Sequence, residues 1–209
     1  MGGRVYYHAT RKLDLYTEGS WNTVKYFNND LYNSHGFKVL VGSKGKATKK
    51  LTLDLATGYR KHRYDNDTIF NSFDDWIIQG NVDYKISRKL SAALAAKRDR
   101  VESVYQNVGY FKSNSVGLTL SHKITSRIKV DLNGAFEHNA YPRETTEGGG
   151  ALTKKRKDII MLGGAKVNWK PRRFLNLSVG YGFRQRDSNF DNIFDYVDHT
   201  LDTSASCKF

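Results

Sequence analysis

Apolar and polar residues alternate along most of this sequence, and a period of two is the period of a β-strand. Every second residue from Trp76 to Ile86 is apolar or glycine, whereas the positions between them include Gln79 and Asn81. The same alternation recurs in residues 128–136 and 175–183. Along the whole chain it predicts about eleven strands of roughly 7 to 14 residues, and no amphipathic helix. The sequence therefore predicts an all-β fold.

The connections between the predicted strands alternate in length. Short turns are expected at 10–12, 44–50, 87–89, 125–127 and 170–173, and longer polar loops at about 22–35, 63–73, 102–110, 142–157 and 187–195. Because such turns are too short for crossovers, neighbouring strands should be antiparallel. Short periplasmic turns and longer external loops are typical of outer-membrane barrels. The asymmetry favours an up-and-down transmembrane β-barrel in the bacterial outer membrane over a soluble β-sandwich, whose strands alternate in the same way.

The composition is compatible with a membrane wall made of strands. Apolar residues make up 39% of the chain, and no apolar stretch approaches the roughly 20 residues of a transmembrane helix. A barrel strand needs only about 10 residues, of which every second one is apolar. With 2 prolines and no linker-like segment, residues 1–209 are expected to form a single domain.

The net charge of +13 raises nucleic acid as a partner. Twelve basic residues, however, fall at five short turns spread along the chain instead of on one helix or sheet face. We therefore expect no nucleic-acid partner. The single cysteine, Cys207, excludes an internal disulfide and Cys-rich metal sites, and the six histidines share no metal-ligand spacing. No cofactor, metal site or catalytic residue is predicted.

Large aromatic residues fall near the ends of the predicted strands. An amphipathic ring suits the membrane interface, where one side is wet and the other apolar. Ordinary core aromatics would be distributed more evenly along the strands. We interpret the set as an aromatic girdle that comprises Trp21, Tyr59, Trp76, Tyr84, Tyr141, Trp169, Tyr181 and Phe183.

Charged residues on the polar side of the alternation are candidates for the lumen. The basic members are Arg60, Lys85, Lys97, Lys129, Lys166, Arg184 and Arg186, and the acidic members are Asp54, Asp83, Asp99, Asp131 and Glu137. A ring of one sign selects ions, whereas mixed signs can pair and rigidify the wall. The alternation alone leaves both interpretations open.

A basic turn followed by an apolar strand start recurs about every 37 to 45 residues, as in 10–15 and 87–91. The segment from Gly180 to Asn189 reads Gly-Tyr-Gly-Phe-Arg-Gln-Arg-Asp-Ser-Asn and leads to Phe194-Asp195-Tyr196. These features resemble the outer-membrane β-barrel proteins of bacterial exopolysaccharide biosynthesis clusters, which are related to the porin-2 barrel family. The resemblance covers most of the chain by pattern, but only its last 35 or so residues by motif.

The resemblance implies a non-enzymatic conduit or assembly component for exopolysaccharide export. A general diffusion porin for small, mildly anionic solutes is the alternative, and a structural or partner-binding barrel is a further one. The expected partners are outer-membrane lipid, the outer-membrane assembly machinery, and acidic polysaccharide or periplasmic export proteins. By the same resemblance, the terminal aromatic Phe209 is expected to be the signal that the assembly machinery recognises.

The number of predicted strands is odd, whereas bacterial single-chain barrels usually have an even number. One hypothesis is that this chain is the C-terminal part of a larger barrel, with further strands upstream of Met1 or from another chain. The alternative is that a strand near 13–33 has been split or missed. The N-terminal residues also lack an apolar signal region, so we expect either a removed signal or numbering that begins inside a longer chain.

Overall fold

A computed structural model describes residues 1–25, 27, 33–66, 72–103, 109–147, 152–190 and 193–207. Eleven strands form one sheet whose spatial order is the order of the sequence. The strands are β1 (Gly2–Thr10), β2 (Leu13–Val24), β3 (Ser34–Lys46), β4 (Leu51–Tyr64), β5 (Phe73–Lys85), β6 (Leu90–Glu102), β7 (Tyr110–Lys123), β8 (Ile128–Glu147), β9 (Leu152–Arg172), β10 (Leu175–Ser188) and β11 (Tyr196–Cys207). Each strand pairs antiparallel with the next, which confirms the predicted all-β, up-and-down architecture. Within the described ranges, no helix is long and apolar enough to span a membrane.

One predicted loop is wrong. The segment 142–157 was expected to be a long polar loop, but β8 continues to Glu147 and β9 begins at Leu152. After a register shift between Ala140 and Glu144, the two strands pair again, with Glu144 opposite Lys155. The hairpin continues through polar residues because the hydrogen bonds between its strands join backbone groups and require no apolar side chains. By contrast, 13–24 is a single strand, so no second strand is described within it.

Three of the short turns share a hydroxyl side chain that accepts backbone hydrogen bonds. The Oγ atom of Thr125 accepts from the backbone N–H groups of Arg127 and Ile128, at 3.2 and 3.0 Å. Thr48 and Ser87 accept from the corresponding N–H groups of their own turns. In these three turns the recurring basic sequence therefore forms one structural unit, closed by a Ser or Thr at its start.

The two faces of the sheet differ in chemistry and in exposure. One side of the sheet, which we call the polar face, carries the even-numbered residues of β1–β4 and β9–β11. It carries the odd-numbered residues of β5–β8. Some of its carboxylates are deeply buried: Asp99 is 5% exposed and Asp158 is 0% exposed. On the opposite, apolar face, Leu55 and Trp76 are 49% and 62% exposed. A single-layer sheet shelters one face only if it curves toward that face, so the polar face is the inner one.

Contacts across intervening strands agree with this curvature. The hydroxyl of Tyr16 in β2 donates to Oδ1 of Asp54 in β4 at 2.8 Å and so reaches over β3. Arg60 in β4 likewise donates from Nη1 to the carbonyl oxygen of Arg100 in β6 at 2.7 Å. Side chains of alternate strands therefore meet above the polar face.

The edges of the sheet are β1 and β11, which do not pair with each other in the described part of the chain. Both strands run from the side of the long connections, the loop end, toward the side of the short turns, the turn end. Between β5 and β6, the described backbone pairing stops at Ile78 and Arg98 and does not continue to the loop end. Among the described residues, the two edge strands are therefore not joined to each other, and β5 and β6 are not paired with each other near the loop end.

Candidate functional site on the polar face

Four carboxylates on the polar face each lie within ion-pair distance of two basic side chains. The sets are Glu18 with Arg4 and Lys38, Asp75 with Arg100 and Lys112, Asp99 with Arg60 and Lys97, and Asp158 with Arg156 and Arg186. Each carboxylate is shared, so every set keeps a net charge of about +1 at neutral pH. The sets lie in the half of the sheet nearest the loop end.

The arginines of three of these sets also stack on tyrosine rings. The guanidinium carbons lie 4.6 to 4.9 Å from the ring centroids in the pairs Arg4–Tyr16, Arg100–Tyr110, Arg156–Tyr141 and Arg186–Tyr196. Stacking and a bound carboxylate restrict the side chain from two sides. These arginines therefore present fixed positive charge at the polar face.

The set around Asp75 shows how the strands build such a site. Nε of Arg100 donates to Oδ2 of Asp75 at 2.8 Å, and Nζ of Lys112 lies 3.6 Å from the same oxygen. The rings of Phe73 and Tyr110 have centroids 4.6 Å apart, and Arg100 lies near both. Because β5 and β6 are no longer paired by their backbones here, these side chains bridge the parted strands.

The turn half of the polar face carries lysines instead. They are Lys44, Lys46, Lys85, Lys123, Lys129, Lys166 and Lys170. Among the described residues, only Lys44 and Lys129 of this group have a carboxylate within 4.0 Å, those of Asp54 and Asp131. Two recesses of about 610 and 410 Å³ share Lys123 and Lys129 in their walls. The turn half therefore holds several lysines that have no carboxylate partner in the described part of the chain.

All twelve predicted lumen residues lie on the polar face by register. The structure joins Arg60 and Lys97 with Asp99, and Lys129 with Asp131. Further contacts link Asp54 to Tyr16, Glu137 to Ser113, Arg186 to Asp158, and Arg184 to the ring of Tyr196. Lys85, Asp83 and Lys166 have no ion-pair partner within the described ranges. That these residues line a conducting lumen remains a proposal.

Sequence reasoning missed several members of the site. Arg156 was overlooked because the segment 142–157 was expected to be a loop, and Asp158 because it lies directly after that segment. Arg100 occupies an even position of β6, which alternation places on the apolar side, and it was not among the predicted lumen residues. It meets Asp75 only because the loop end of the β6–β7 hairpin departs from β5, and alternation carries no signal for that departure.

Most of the predicted girdle lies on the apolar face. Trp21, Tyr59, Trp76, Tyr84, Trp169, Tyr181 and Phe183 occupy this face by register. Tyr141 contradicts the prediction, because it lies on the polar face, is 8% exposed and packs against Arg156. The strand was predicted to end at this residue, whereas it continues and keeps Tyr141 in phase with Asn139. The predicted assembly signal, Phe209, lies outside the described residues.

No group of three or more His, Cys, Asp or Glu side chains that could hold a metal ion occurs in the part of the chain that the structure describes. The described part of the polar face offers basic side chains, shared carboxylates and aromatic rings.

Several solved structures share this fold. The outer membrane channel DcaP of Acinetobacter baumannii aligns with 100% of this chain at a TM-score of 0.64 and 12% sequence identity, over 62% of its own length. The NanC porin aligns with 100% of this chain and 97% of its own, at a TM-score of 0.50 and 9% identity. The monoaromatic hydrocarbon channel TodX aligns with 100% of this chain and 73% of its own, at a TM-score of 0.51 and 12% identity. At these identities the likeness shows the fold, and the chain spans 62% of the DcaP chain.

No curated protein matches the sequence. The family model described as Putative beta-barrel porin 2 matches residues 1–209, the whole of the sequence. The match agrees with the antiparallel up-and-down sheet, its apolar outer face and its polar inner face. The chain therefore belongs to this family of β-barrel porins and is a protein of the bacterial outer membrane.

Proposed function

We propose that the protein is a non-enzymatic outer-membrane channel for anionic solutes, with acidic saccharides as its cargo class. The observation that carries the proposal is the excess of basic side chains on the polar face. Shared carboxylates leave each set of the loop half with net positive charge. Most lysines of the turn half have no described carboxylate partner.

Electrostatics links this arrangement to anions. A passage lined by one sign of charge and bounded by a wall of low dielectric constant concentrates ions of the opposite sign. The lysines at the turn end would collect anions, and the arginines restrained near the loop end would hold them in defined positions. Arginine binds carboxylates through a planar fork of N–H donors, which suits the carboxyl groups of acidic sugars.

The tyrosine rings beside the arginines support a saccharide cargo. An aromatic ring offers an apolar surface with a hydroxyl at its edge, and a sugar ring likewise has apolar C–H faces and polar edges. The resemblance of the Gly180–Tyr196 segment to exopolysaccharide barrels favours a polymer over single sugars. A general diffusion porin for small anions is the second candidate, since it requires only the unpaired lysines of the turn half.

Ion selectivity in planar bilayers tests the channel. We expect the protein to conduct and to prefer chloride over potassium under a salt gradient. The triple substitution of Lys85, Lys123 and Lys166 by Gln should lower this preference roughly twofold or more, because it removes unpaired cations from the polar face. The matched control replaces Lys61, Arg63 and Lys155, which lie on the other face by register, with Gln and should leave the preference unchanged. Cation selectivity, or the absence of any pore, would overturn the proposal.

Current block by oligosaccharides separates the two cargo classes. Oligogalacturonate should block the open channel at lower concentrations than a neutral maltooligosaccharide of equal length. The substitution Arg100→Ala should weaken the block by oligogalacturonate while the channel still conducts chloride. If both oligosaccharides block equally, or if Arg100→Ala changes neither, the general porin is the better description.

A further inference from the structure

We infer that the apolar face carries a binding site for one phosphate-bearing lipid of the outer leaflet, at a position where three polar side chains interrupt the lipid-facing surface. The side chains are those of Arg98 in β6, Asn114 in β7 and His138 in β8. The inference depends on the membrane location of the sheet and not on what passes along its polar face.

The three residues form one row across neighbouring strands. Arg98 pairs with Asn114, and Asn114 pairs with His138, so all three point to the same side of the sheet. Arg98 also pairs with Ile78, which is 52% exposed on the apolar face. Since adjacent strands are about 4.8 Å apart, Arg98 and His138 are separated by roughly 10 Å. This spacing lets two basic side chains approach one phosphate group from both sides.

The row has no counter-charge of its own. Within the described ranges, no hydrogen bond or ion pair involves the side chains of Arg98, Asn114 or His138. The next carboxylate along the row is that of Asp187 in β10, two strands beyond His138. An arginine without a partner on a lipid-facing surface is unfavourable and marks a functional position. A lipid phosphate would supply the missing charge.

An apolar depression lies directly beside this row, toward the turn end. It has a volume of about 910 Å³, and its lining includes Gly80, Ala96, Val116 and Phe136 together with the three polar residues. Gly80 pairs with Ala96, Ala96 with Val116, and Val116 with Phe136, so these residues form the next row toward the membrane interior. The depression passes over the small residues Gly80 and Ala96, between larger neighbours such as Val116 and Phe136. An acyl chain would fill it.

The order of the two rows fits the orientation of an outer-leaflet lipid. Long connections lie outside in outer-membrane barrels, so the loop end faces the outer leaflet. The polar row is nearer the loop end and the depression is nearer the membrane centre, as headgroup and acyl chain would require. A second copy of this chain would place Arg98 at an interface, where it would again need a carboxylate. Charge complementarity therefore favours a lipid phosphate.

Lipid A, which carries phosphate groups and acyl chains, is a suitable probe, and diacylglycerol is its phosphate-free counterpart. Native mass spectrometry of the protein purified from outer membranes would measure binding of each. We expect one saturable site for lipid A and none for diacylglycerol. Arg98→Gln with His138→Gln should weaken lipid A binding about tenfold or more, the effect of losing charge-assisted hydrogen bonds. Heat-modifiable gel mobility would verify that this variant remains folded.

Two further variants separate the site from general attraction. Lys61→Gln with Arg63→Gln removes two basic groups of β4 that lie on the same face but away from the depression, and should leave binding unchanged. Ala96→Phe keeps the charges and fills the depression, and should also weaken binding several-fold. Equal losses in both double variants, or full binding in Ala96→Phe, would overturn the inference. A dimer that lipid A does not dissociate would also overturn the inference, because a second copy of the chain would then cover the surface.

Discussion

Arg156 and Asp158 lie two residues apart on the polar face of β9 and form an ion pair with two hydrogen bonds, at 2.9 and 2.6 Å. Both side chains are almost fully buried. The guanidinium carbon also lies 3.6 Å from the ring centroid of Phe194, in the connection between β10 and β11. The ion pair therefore holds the β10–β11 connection against the polar face.

Substitution of Asp158 by Asn should destabilise the protein by about 3–5 kcal/mol, because it removes the buried carboxylate that pairs with the charge of Arg156. Arg186, whose Nε atom lies 3.9 Å from Asp158, would lose the same carboxylate. Urea titration followed by heat-modifiable gel mobility would measure the change. Asp14→Asn is the control, since Asp14 pairs with the exposed His8 and should contribute less than about 1 kcal/mol. Equal effects of the two substitutions would contradict the role of the buried pair.

The hydroxyl of Thr125 should contribute measurably to stability through its turn. Thr125→Ala removes an acceptor of two backbone N–H groups and should cost about 0.5–1.5 kcal/mol. Thr125→Ser should restore most of that loss, because the hydroxyl is retained. Ser126→Ala changes the neighbouring residue, for which no described hydrogen bond exists, and provides the matched control. The same urea titration distinguishes the three variants, and a loss in Ser126→Ala equal to that in Thr125→Ala would reject the turn unit.

Gly58 should tolerate no side chain, whereas Gly163 should tolerate one. A Cβ atom on Gly58 would overlap the carbonyl oxygen of Val39, so the backbone of β3 would have to move. A Cβ atom on Gly163 meets nothing within 4 Å. We expect Gly58→Ala to lose about 1–3 kcal/mol and Gly163→Ala to lose almost nothing. Thermal unfolding monitored by circular dichroism would compare them, and a stable Gly58→Ala variant would refute the close approach.

The two edge strands should not pair directly with each other. Both run toward the turn end, so antiparallel closure requires an odd number of further strands, whichever polypeptide supplies them. A strand between them separates their Cα atoms by roughly 10 Å, beyond the reach of a disulfide. Cysteines introduced one at a time at Val5, Tyr7 and Ala9 should therefore fail to cross-link with the native Cys207.

Leu175→Cys provides the positive control for that experiment, because Leu175 is the register partner of Cys207 on β10. Oxidation followed by electrophoresis would show a disulfide in this variant only. An efficient cross-link from β1 to Cys207 would show instead that the sheet closes on itself.

The alternation of the sequence was enough to predict the strands, their antiparallel order and the face on which Arg60 and Asp99 lie. It succeeds because the side-chain period of a strand is two, so each position between two turns has only one possible face. Alternation identified Asp99 but did not show that Arg60 and Lys97 share it. These residues are brought together by the register between neighbouring strands and by the curvature of the sheet. The sequence of a single strand specifies neither.

The sequence was least informative at the loop end. There β8 and β9 continue through polar residues such as Glu144 and Lys155, whose composition resembles that of a loop. The contact of Arg100 with Asp75 depends on the parting of β5 from β6, which no pattern in either strand predicts. The arginine–tyrosine pairs were missed for the same reasons, since their partners come from different strands or from segments expected to be irregular.

The division of cations between the two halves of the polar face has an electrical consequence. Arginines held by carboxylates and rings are restrained against an applied voltage, whereas lysines that have no carboxylate partner among the described residues lack that restraint. In such a channel an anion passes restrained arginines in the loop half and less restrained lysines in the turn half. The resistance then depends on which half the anion enters first. The current should therefore rectify, so that equal voltages of opposite sign drive unequal currents through a single molecule.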